Sequence, residues 1–269
     1  MKRFIKISGT LLISVFLFIS CSTVPLTGRR QLSLVPETEM ITMAATSYTD
    51  FMKENPLSTD KAGTALVKET GKNISDAVIK YFAENNLSTQ LNGYQWEFNL
   101  IKNDSTPNAW CMPGGKVVVY SGILPYTKDK NGLAVVVSHE IAHAVARHGS
   151  ERMSQQLLIQ MGGMAMSEAV KNKPDQTKNI YNTVFGMGAQ VGVLLPYSRE
   201  HEYEADKLGL IFMAMAGYDP NAAVEFWERM SAMGGQKPPE FLSTHPSDAA
   251  RIRKIKEAMP EVMTYYKKQ

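Results

Sequence analysis

The sequence predicts an α+β fold that is mostly helical, with a small sheet next to one strongly apolar helix. Three observations predict it: an apolar stripe at helical spacing in residues 58–84, a strand pattern at 94–100, and a second strand at 116–121 that precedes a helical segment at 132–153. No internal repeat or low-complexity tract divides the chain, so a single domain accounts for this order of elements.

The first predicted helix is defined by one apolar stripe. Leu66, Ile74, Val78 and Phe82 are separated by multiples of four within residues 58–84. Residues four apart lie on the same face of a helix. This spacing predicts a helix that buries one face.

The predicted sheet follows this helix. Apolar and polar residues alternate from 94 to 100, which is typical of a half-buried strand. The second strand, at 116–121, comes directly after the turn sequence Pro113-Gly114-Gly115. The sequence therefore predicts a hairpin-like sheet immediately before the helix at 132–153.

Further helices are predicted in the second half of the chain. One covers 198–216, and a second begins at Asp219-Pro220, an N-cap residue followed by proline at the first helical position. A loop is predicted at 234–239, and Pro246 is predicted to open the last helix.

The first twenty residues have the pattern of an export signal. Lys2, Arg3 and Lys6 form a basic start, an apolar run covers 11–19, and Ser20-Cys21 ends it. A small residue followed by cysteine resembles the lipidation signal of bacterial lipoproteins. The predicted organisation is a signal peptide at 1–20, a lipid-anchored tether at 21–36 with lipid on Cys21, and a folded domain at 37–269.

Charge and composition exclude some classes of partner. The signal peptide contains three of the 29 basic residues and none of the 26 acidic ones, so the rest of the chain has no formal net charge. Such a balance gives no electrostatic reason to expect nucleic acid. Charged residues interrupt the apolar segment at 157–195, so no run reaches the ~20 apolar residues of a membrane span.

The segment His139-Glu140-Ile141-Ala142-His143 contains the pattern H-E-x-x-H within the helix predicted at 132–153. A spacing of four places the two imidazoles about 40° apart on one helix face, so both nitrogens can reach one zinc ion at ~2.0–2.1 Å. Glu140 is rotated about 100° from His139, which puts its carboxylate beside the metal but outside the ligand set. There it can accept a proton from attacking water.

A third ligand is needed, and the best candidate is Glu202. Glu202 and Asp206 are four residues apart and share a helix face, so Asp206 can accept the free ring N–H of a ligating histidine. His148 follows His139 by nine residues, which on one continuous helix points it away from the metal. Ala146 and Gly149 stand where the metzincin pattern needs glycine and histidine.

Three neighbours of Glu202 are interpreted as a solvated charged face. They are Glu200, His201 and Glu204, which lie roughly 100° to 200° from Glu202 on a helix. His201 is kept as an alternative third ligand.

Taken together, these motifs resemble the M48 family of gluzincin metallopeptidases, in its exported bacterial lipoprotein branch. The matching stretches, in chain order, are Thr27-Gly28-Arg29, Gln31-Leu32, Asn108-Ala109, Pro113-Gly114-Gly115, the H-E-x-x-H helix through Arg147-His148, Glu202 to Asp206, His245-Pro246 and Arg251-Ile252. The resemblance implies a zincin-type fold, one zinc per chain and Glu202 as the third ligand. It also implies a stand-alone protease domain.

The resemblance implies a zinc-dependent endopeptidase of polypeptide substrates, acting on unfolded or misassembled cell-envelope proteins. It places Asn108 and Ala109 on an edge strand to which an extended substrate adds by backbone pairing. The expected location is the outer membrane, through the lipid anchor, on the periplasmic side. Two alternatives are a zinc hydrolase of small or cell-wall peptides, and a chaperone-like binding lipoprotein.

His245 is the remaining candidate catalytic residue. No apolar period surrounds it, which disfavours a core position. It can donate a hydrogen bond to the oxyanion of the reaction, or its neutral ring can occupy the open zinc position and keep the enzyme latent. We favour the oxyanion role, because a blocked site requires a separate releasing signal. Cys111 has no nearby base in the sequence, which argues against a nucleophilic role.

Overall fold

A computed structural model describes residues 21–24, 26–170, 195–232, 241, 245 and 249–267. The predicted signal peptide, the segment at 171–194, the loop at 234–239 and Pro246 lie outside these residues. The chain divides into two compact units, one of residues 1–37 with 149–196, the other of residues 38–148 with 197–269. The predicted domain boundaries at residues 20 and 36 stay predictions.

The described elements are eight α-helices, five strands and two short 3-10 helices. The helices are α1 (Glu37–Glu54), α2 (Lys61–Glu84), α3 (Leu124–Thr127), α4 (Lys130–Val145), α5 (His148–Val170), α6 (Leu195–Met215), α7 (Ala222–Ala232) and α8 (Ala249–Val262). The strands are β1 (Cys21–Thr23), β2 (Arg30–Leu32), β3 (Glu97–Ile101), β4 (Ala109–Met112) and β5 (Lys116–Tyr120). The 3-10 helices cover Ser88–Leu91 and Ser121–Ile123. This composition confirms the predicted α+β class.

The smaller unit contains the segment predicted to be an exposed tether. Its strands β1 and β2 pair antiparallel, and Val24 and Gln31 are buried, so the segment is not exposed throughout. Arg29 donates to both carboxylate oxygens of Glu151 on α5, at 3.3 and 2.8 Å. The Leu34 N–H donates to Ser154 Oγ at 2.9 Å. These bonds hold the N-terminal strands against α5.

The larger unit is built around a three-stranded sheet of order β3-β5-β4. β3 runs parallel to β5, and β4 pairs antiparallel with β5 through a tight turn. Val117, Val118 and Val119 of the central strand are fully buried, as expected for β-branched residues inside a sheet. β4 is an edge strand. Tyr48 on α1 joins the sheet through a 2.8 Å hydrogen bond to Glu97 on β3.

Helix α4 occupies the centre of the larger unit. Asp129 caps its N-terminus by accepting from the N–H groups of Asn131 and Gly132, each at 2.9 Å. Almost every side chain from Leu133 to Val145 is buried, so the helix is covered on all sides. A buried helix can hold polar groups only if their partners are built around them, which makes the polar residues of α4 informative.

Helix α6 crosses α4 at close range because of Gly209. A Cβ at this position would lie 3.0 Å from the backbone nitrogen of His139 and 3.1 Å from the carbonyl carbon of Ser138. Only glycine permits this approach without displacing one of the two helices. The contact brings the residues of α6 that precede Gly209 alongside the histidines of α4.

The predicted helix at 132–153 is in fact two helices. α4 ends at Val145, and Arg147 adopts a left-handed backbone conformation with φ of 61° before α5 begins at His148. The side chain of Arg147 donates to Gln90 Oε1 at 2.7 Å, which stabilises this uncommon conformation. The sequence contains no glycine or proline at the break, so the apolar pattern predicted a continuous helix.

Smaller differences concern the ends of elements. β3 begins at Glu97 instead of 94, and α7 begins at Ala222, two residues after the predicted start. Asp219 still caps the turn, where its Oδ1 accepts from the Asn221 N–H at 2.9 Å. Across the part of the chain that the structure describes, no helix is both long and apolar enough to cross a membrane.

Candidate metal centre

His139 and His143 face each other from successive turns of α4. Their Nε2 atoms lie 3.0 Å apart, and their rings are nearly perpendicular at a centroid distance of 4.6 Å. His139 is fully buried and His143 is partly exposed. Burial lowers the pKa of His143 well below its ordinary value, which keeps its ring neutral and able to bind a metal.

Glu202 on α6 completes a triangle with these two histidines. Its Oε2 lies 3.3 Å from Nε2 of His139, and its Oε1 lies 3.3 Å from Nε2 of His143. Although burial opposes ionisation, the hydrogen bonds of the surrounding imidazoles hold the pKa of Glu202 far below its usual range. The structure therefore brings an ionised carboxylate to the two imidazoles that the helical spacing had paired.

His245 is the fourth side chain in the cluster. Its Nδ1 lies 3.2 Å from Nε2 of His139 and 3.0 Å from Oε2 of Glu202, and its Nε2 lies 3.4 Å from Oε1 of Glu140. The ring of Phe241 packs on it at 4.7 Å between centroids. The Phe241 N–H also donates to the carbonyl of Pro107 at 3.1 Å, which ties this part of the chain to the residue just before Asn108.

The distances between these donor atoms fit a tetrahedral zinc ion. Ligand atoms at ~2.0–2.1 Å from one zinc in tetrahedral geometry are separated by roughly 3.3 Å. The donor atoms of His139, His143, Glu202 and His245 all lie within 4.8 Å of one another, and the separations given above run from 3.0 to 3.3 Å. Nitrogen and carboxylate oxygen are also the donors that zinc prefers.

The charge of the cluster also fits a divalent cation. Three buried carboxylates, on Glu140, Glu202 and Asp206, face one guanidinium, on Arg251. When all three are ionised and His139 is neutral, as a metal ligand must be, two formal negative charges remain, and a divalent ion cancels them. Uncompensated buried charge is costly, so the residues themselves favour a bound metal.

Glu140 lies beside the cluster and is not one of its ligands. It is 4% exposed, and burial raises the pKa of its carboxyl. Its Oε1 accepts no hydrogen bond from the described residues. A buried carboxylate with raised pKa next to a metal site is suited to accept a proton near neutral pH.

Asp206 holds the other ring nitrogen of His139. Its Oδ1 lies 3.0 Å from His139 Nδ1, and Arg251 donates to both of its oxygens. Although burial opposes ionisation, the charge of Arg251 and the bond to His139 lower the pKa of Asp206. An ionised Asp206 fixes the tautomer that leaves His139 Nε2 free to bind a metal.

Arg251 is a functional residue that the sequence reasoning missed. It appeared only as part of a family motif, but it is 1% exposed, its Nη1 forms an ion pair with Glu202 Oε2 at 3.1 Å, and its guanidinium stacks on Trp227 at 3.5 Å from the ring centre. The available signal was its spacing of four from Ile255, which puts both residues on the buried face of α8. A cation on a buried helix face predicts buried carboxylate partners.

Two residues assigned to a solvated face are buried, which corrects that assignment. His201 is 2% and Glu204 is 9% exposed, whereas Glu200 is exposed as expected. The reason is His148, whose Nε2 lies 3.0 Å from Glu204 Oε2 and whose ring stacks on His201 at 4.4 Å. His201 lies outside the four-residue donor cluster.

His148 does not point away from the centre, as the assumption of one continuous helix had predicted. Because the chain breaks at Arg147, the His148 ring turns back, and its Nδ1 lies 2.8 Å from Nδ1 of His143. It is not among the four donors, so it contacts a candidate ligand from behind.

Asn108 and Ala109 lie at the start of the edge strand β4. The carbonyl of Asn108 accepts from Tyr120 N–H at 3.0 Å, and hydrogen-bonded pairs alternate along an antiparallel ladder. The main-chain groups of Ala109 and Cys111 therefore point away from β5, towards an edge that no described strand covers. The Asn108 side chain accepts from the Ala109 N–H at 2.9 Å.

Cys111 on this strand is a poor nucleophile. Burial, and then the negative charge of Glu140, raise the pKa of its thiol well above the ordinary value. It is a free cysteine. Because the charge of Glu140 acts on Cys111, strand β4 runs close to the metal cluster.

The sequence matches the model of peptidase family M48 over residues 72–259. It is 37% identical to the mitochondrial metalloendopeptidase OMA1 of Schizosaccharomyces pombe, over 97% of this chain and 73% of that protein. It is 30% identical to the human mitochondrial metalloendopeptidase OMA1, over 97% of this chain and 50% of the human protein. The β-barrel assembly-enhancing protease of Escherichia coli is 31% identical over 58% of this chain and 33% of its own length. The chain thus spans about half of the human relative and a third of the bacterial one.

Proposed function

The chain belongs to peptidase family M48 and is a zinc-dependent metalloendopeptidase, and we propose that it hydrolyses unfolded or misassembled proteins of the cell envelope. One observation carries the proposed reaction. Donor atoms of His139, His143 and Glu202 converge at zinc-ligand spacing, and the carboxylate of Glu140 lies beside them without joining the set. Three ligands and a separate base are the arrangement of a catalytic zinc site.

The protein side chains divide the chemistry among them. His139, His143 and Glu202 would hold the zinc ion, which would supply a Lewis acid able to lower the pKa of water to about 7. Glu140 accepts the proton of the attacking water and delivers it to the leaving amine. Its raised pKa, caused by burial, suits it to both steps, because a carboxyl that titrates closer to neutral can take a proton and return it.

Substrate is bound in extended form along β4. Three main-chain groups on this edge form no hydrogen bond to the described residues: the carbonyl of Ala109 and the N–H and carbonyl of Cys111, all on the side away from β5. A polypeptide that pairs here is held by its backbone, so its side chains matter little. Such recognition requires a substrate without regular structure, which supports unfolded proteins as the substrate class.

His245 occupies the fourth donor position while no substrate is bound. The support is its Nδ1, which lies at ligand spacing from both His139 and Glu202. A site with four protein donors has no place for water, so the ring of His245 must withdraw before hydrolysis. This latent arrangement is favoured over the oxyanion role because Nδ1 of His245 lies among the donor atoms of the cluster.

Cys21 carries a lipid that anchors the protein in the outer membrane, facing the periplasm, as in the exported bacterial branch of the family. The support is the basic start, the apolar run at 11–19 and the Ser20-Cys21 junction. The relatives that match nearly the whole chain are named as mitochondrial proteins. The proposed outer-membrane location therefore needs an experiment of its own. A Cys21→Ala form that stays membrane-bound after a high-salt wash would contradict lipid anchoring.

The decisive experiment compares substrates and a base variant. Wild-type protein should digest a denatured protein and leave a peptidoglycan fragment intact, and Glu140→Gln should digest neither. Preference for the cell-wall fragment would support a hydrolase of cell-wall peptides. Suppression of aggregation that is equal in wild type and Glu140→Gln, without digestion by either, would support a chaperone-like protein.

A further inference from the structure

The ring of His143 is held from behind by a second histidine. Its Nε2 faces the metal cluster, and its Nδ1 lies 2.8 Å from Nδ1 of His148. A neutral imidazole has one donor and one acceptor nitrogen. If Nε2 of His143 is the metal ligand, its Nδ1 carries the hydrogen and donates to His148 Nδ1.

This donation fixes the tautomer of His148. Because its Nδ1 accepts, its Nε2 carries the hydrogen, and that atom lies 3.0 Å from Oε2 of Glu204. The carboxylate of Glu204, at the end of this series of hydrogen bonds, can only accept. With these tautomers, His143 donates to His148 and His148 donates to Glu204.

The surroundings hold these groups in place. His148 is 1% and Glu204 is 9% exposed, so water does not compete strongly for either bond. The ring of His201 lies nearly parallel to that of His148, at 4.4 Å between centroids and 11° between planes. Stacking restricts rotation of the His148 ring.

The two histidines of the metal site are thus supported in different ways. His139 donates directly to a carboxylate, that of Asp206 at 3.0 Å. In the described part of the chain, no carboxylate lies within hydrogen-bond reach of Nδ1 of His143. His148 bridges the distance, because it contacts this nitrogen and the carboxylate of Glu204. On a continuous helix, a residue five positions after His143 would lie about 140° away. The left-handed Arg147 is what returns His148 to the same side.

We propose that His148 and Glu204 are positioning residues that fix the tautomer and orientation of His143 for zinc. This inference rests on the proposed function only in taking His143 as a ligand. Partners of this kind are worth about 10–100-fold in metal affinity at other zinc sites. The same range is expected here.

The test measures zinc affinity by competition with a chromophoric chelator, without any peptide substrate. His148→Phe keeps an aromatic ring to stack on His201 but removes both nitrogens. It should weaken zinc binding about 10–100-fold. His148→Asn restores an acceptor oxygen near the position of Nδ1, and it should recover part of that loss. The visible spectrum of the cobalt-substituted protein should change in His148→Phe, because the orientation of a ligand changes.

Glu204, the last residue of the series His143–His148–Glu204, provides an independent variant. Glu204→Leu removes the acceptor and should also weaken zinc binding, and the double variant should lose no more than His148→Phe alone. Two unrelated structural effects would add instead. Unfolding of each variant in excess chelator shows whether the metal-free fold is intact. If His148→Phe does not fold, Glu204→Leu and His148→Asn decide.

An unchanged zinc affinity in a folded His148→Phe or Glu204→Leu protein would overturn the proposal, and so would additive losses in the double variant. The proposed function can fail separately. If the His148 and Glu204 variants lose zinc affinity as expected but the wild-type protein does not digest denatured protein, the positioning role stands and the peptidase assignment does not.

Discussion

The guanidinium of Arg251 donates two hydrogen bonds of 2.7 Å each to the carboxylate of Asp206. This pair links α8 to α6 directly behind His139, whose Nδ1 lies 3.0 Å from the same carboxylate. Arg251 also forms an ion pair with Glu202 at 3.1 Å, so one buried cation supports both this candidate ligand and Asp206, which orients the ligand His139. The last helix of the chain is therefore part of the metal site.

Replacement of Arg251 should be among the most destabilising single changes in this protein. Arg251→Ala leaves Asp206 and Glu202 buried without their cation, and breaking a buried pair in this way costs about 3–5 kcal/mol. It also empties the space over Trp227. Denaturant unfolding of the zinc-loaded protein measures the free energy, and zinc content should fall in parallel.

Arg253→Ala is the matched control for this change. Arg253 lies two residues further along α8, with 65% of its side chain exposed, and pairs with Glu257 on the surface. An exposed pair of this kind contributes about 0–1 kcal/mol, so stability and zinc content should hardly change. Equal losses in the two variants would mean that the buried contacts of Arg251 contribute nothing specific.

The elements that periodicity defines were predictable from the sequence, and the break between α4 and α5 was not. Of the predicted stripe, Ile74, Val78 and Phe82 are fully buried, because burial follows from helical spacing, whereas Leu66 is only half-buried and its neighbour Val67 is buried instead. Arg147 in contrast takes a left-handed conformation that its residue type does not signal. A tertiary bond to Gln90 stabilises it, and tertiary bonds cannot be read from local sequence.

The candidate site divides along the same line. His139, Glu140 and His143 follow from a local spacing, and Glu202 with Asp206 from a second one. The roles of His148, Glu204 and Arg251 depend on contacts between residues far apart in the chain, such as Glu204 to His148, 56 positions apart, and Arg251 to Asp206, 45 positions apart. Their charged and polar side chains are typical of a solvated surface. The spacing of Arg251 from Ile255 indicates its burial, whereas the burial of His148 and Glu204 is visible only in the fold.

The ligand assignment predicts a clear separation between binding and turnover. His139→Ala, His143→Ala and Glu202→Ala should each lose zinc, measured by metal analysis after dialysis. Glu140→Gln should retain about one zinc per chain and lose turnover, because it removes a base and no ligand. Full zinc retention by Glu202→Ala would remove Glu202 from the ligand set and return His201 to consideration.

Metal removal should destabilise the fold as well as abolish activity. Zinc present at a thousand times its Kd stabilises the native state by about 4 kcal/mol. Stripping it with a chelator should lower the Tm by on the order of 10 °C for a chain of this size. Glu140→Gln should show the same drop in calorimetry. His139→Ala should show none, and a similar drop in that variant would point to a second zinc site.

Backbone pairing on β4 predicts that Cys111 matters through its N–H and not its thiol. Cys111→Pro removes an N–H that points away from β5, so the ladder to β5 keeps its hydrogen bonds. It should raise KM for a denatured protein and leave zinc content unchanged. Cys111→Ala keeps the N–H and should behave like wild type. A large loss of activity in Cys111→Ala would instead assign the thiol a role in the site.

His245 gives the sharpest prediction, because its two candidate roles predict opposite signs for the same substitution. If its ring occupies the fourth donor position, as its distances of 3.2 Å to His139 Nε2 and 3.0 Å to Glu202 Oε2 suggest, His245→Ala should raise basal proteolysis. If it stabilises the oxyanion, the same variant should lower kcat by on the order of 10²–10³ with little change in KM.

His245→Gln separates the roles further. A glutamine amide donates a hydrogen bond but binds zinc poorly, so it should activate the enzyme like alanine in the first case and restore part of the lost rate in the second. Initial rates on a denatured protein, with zinc content measured for each variant, decide between the two. A rate equal to wild type in both variants would leave His245 with neither role.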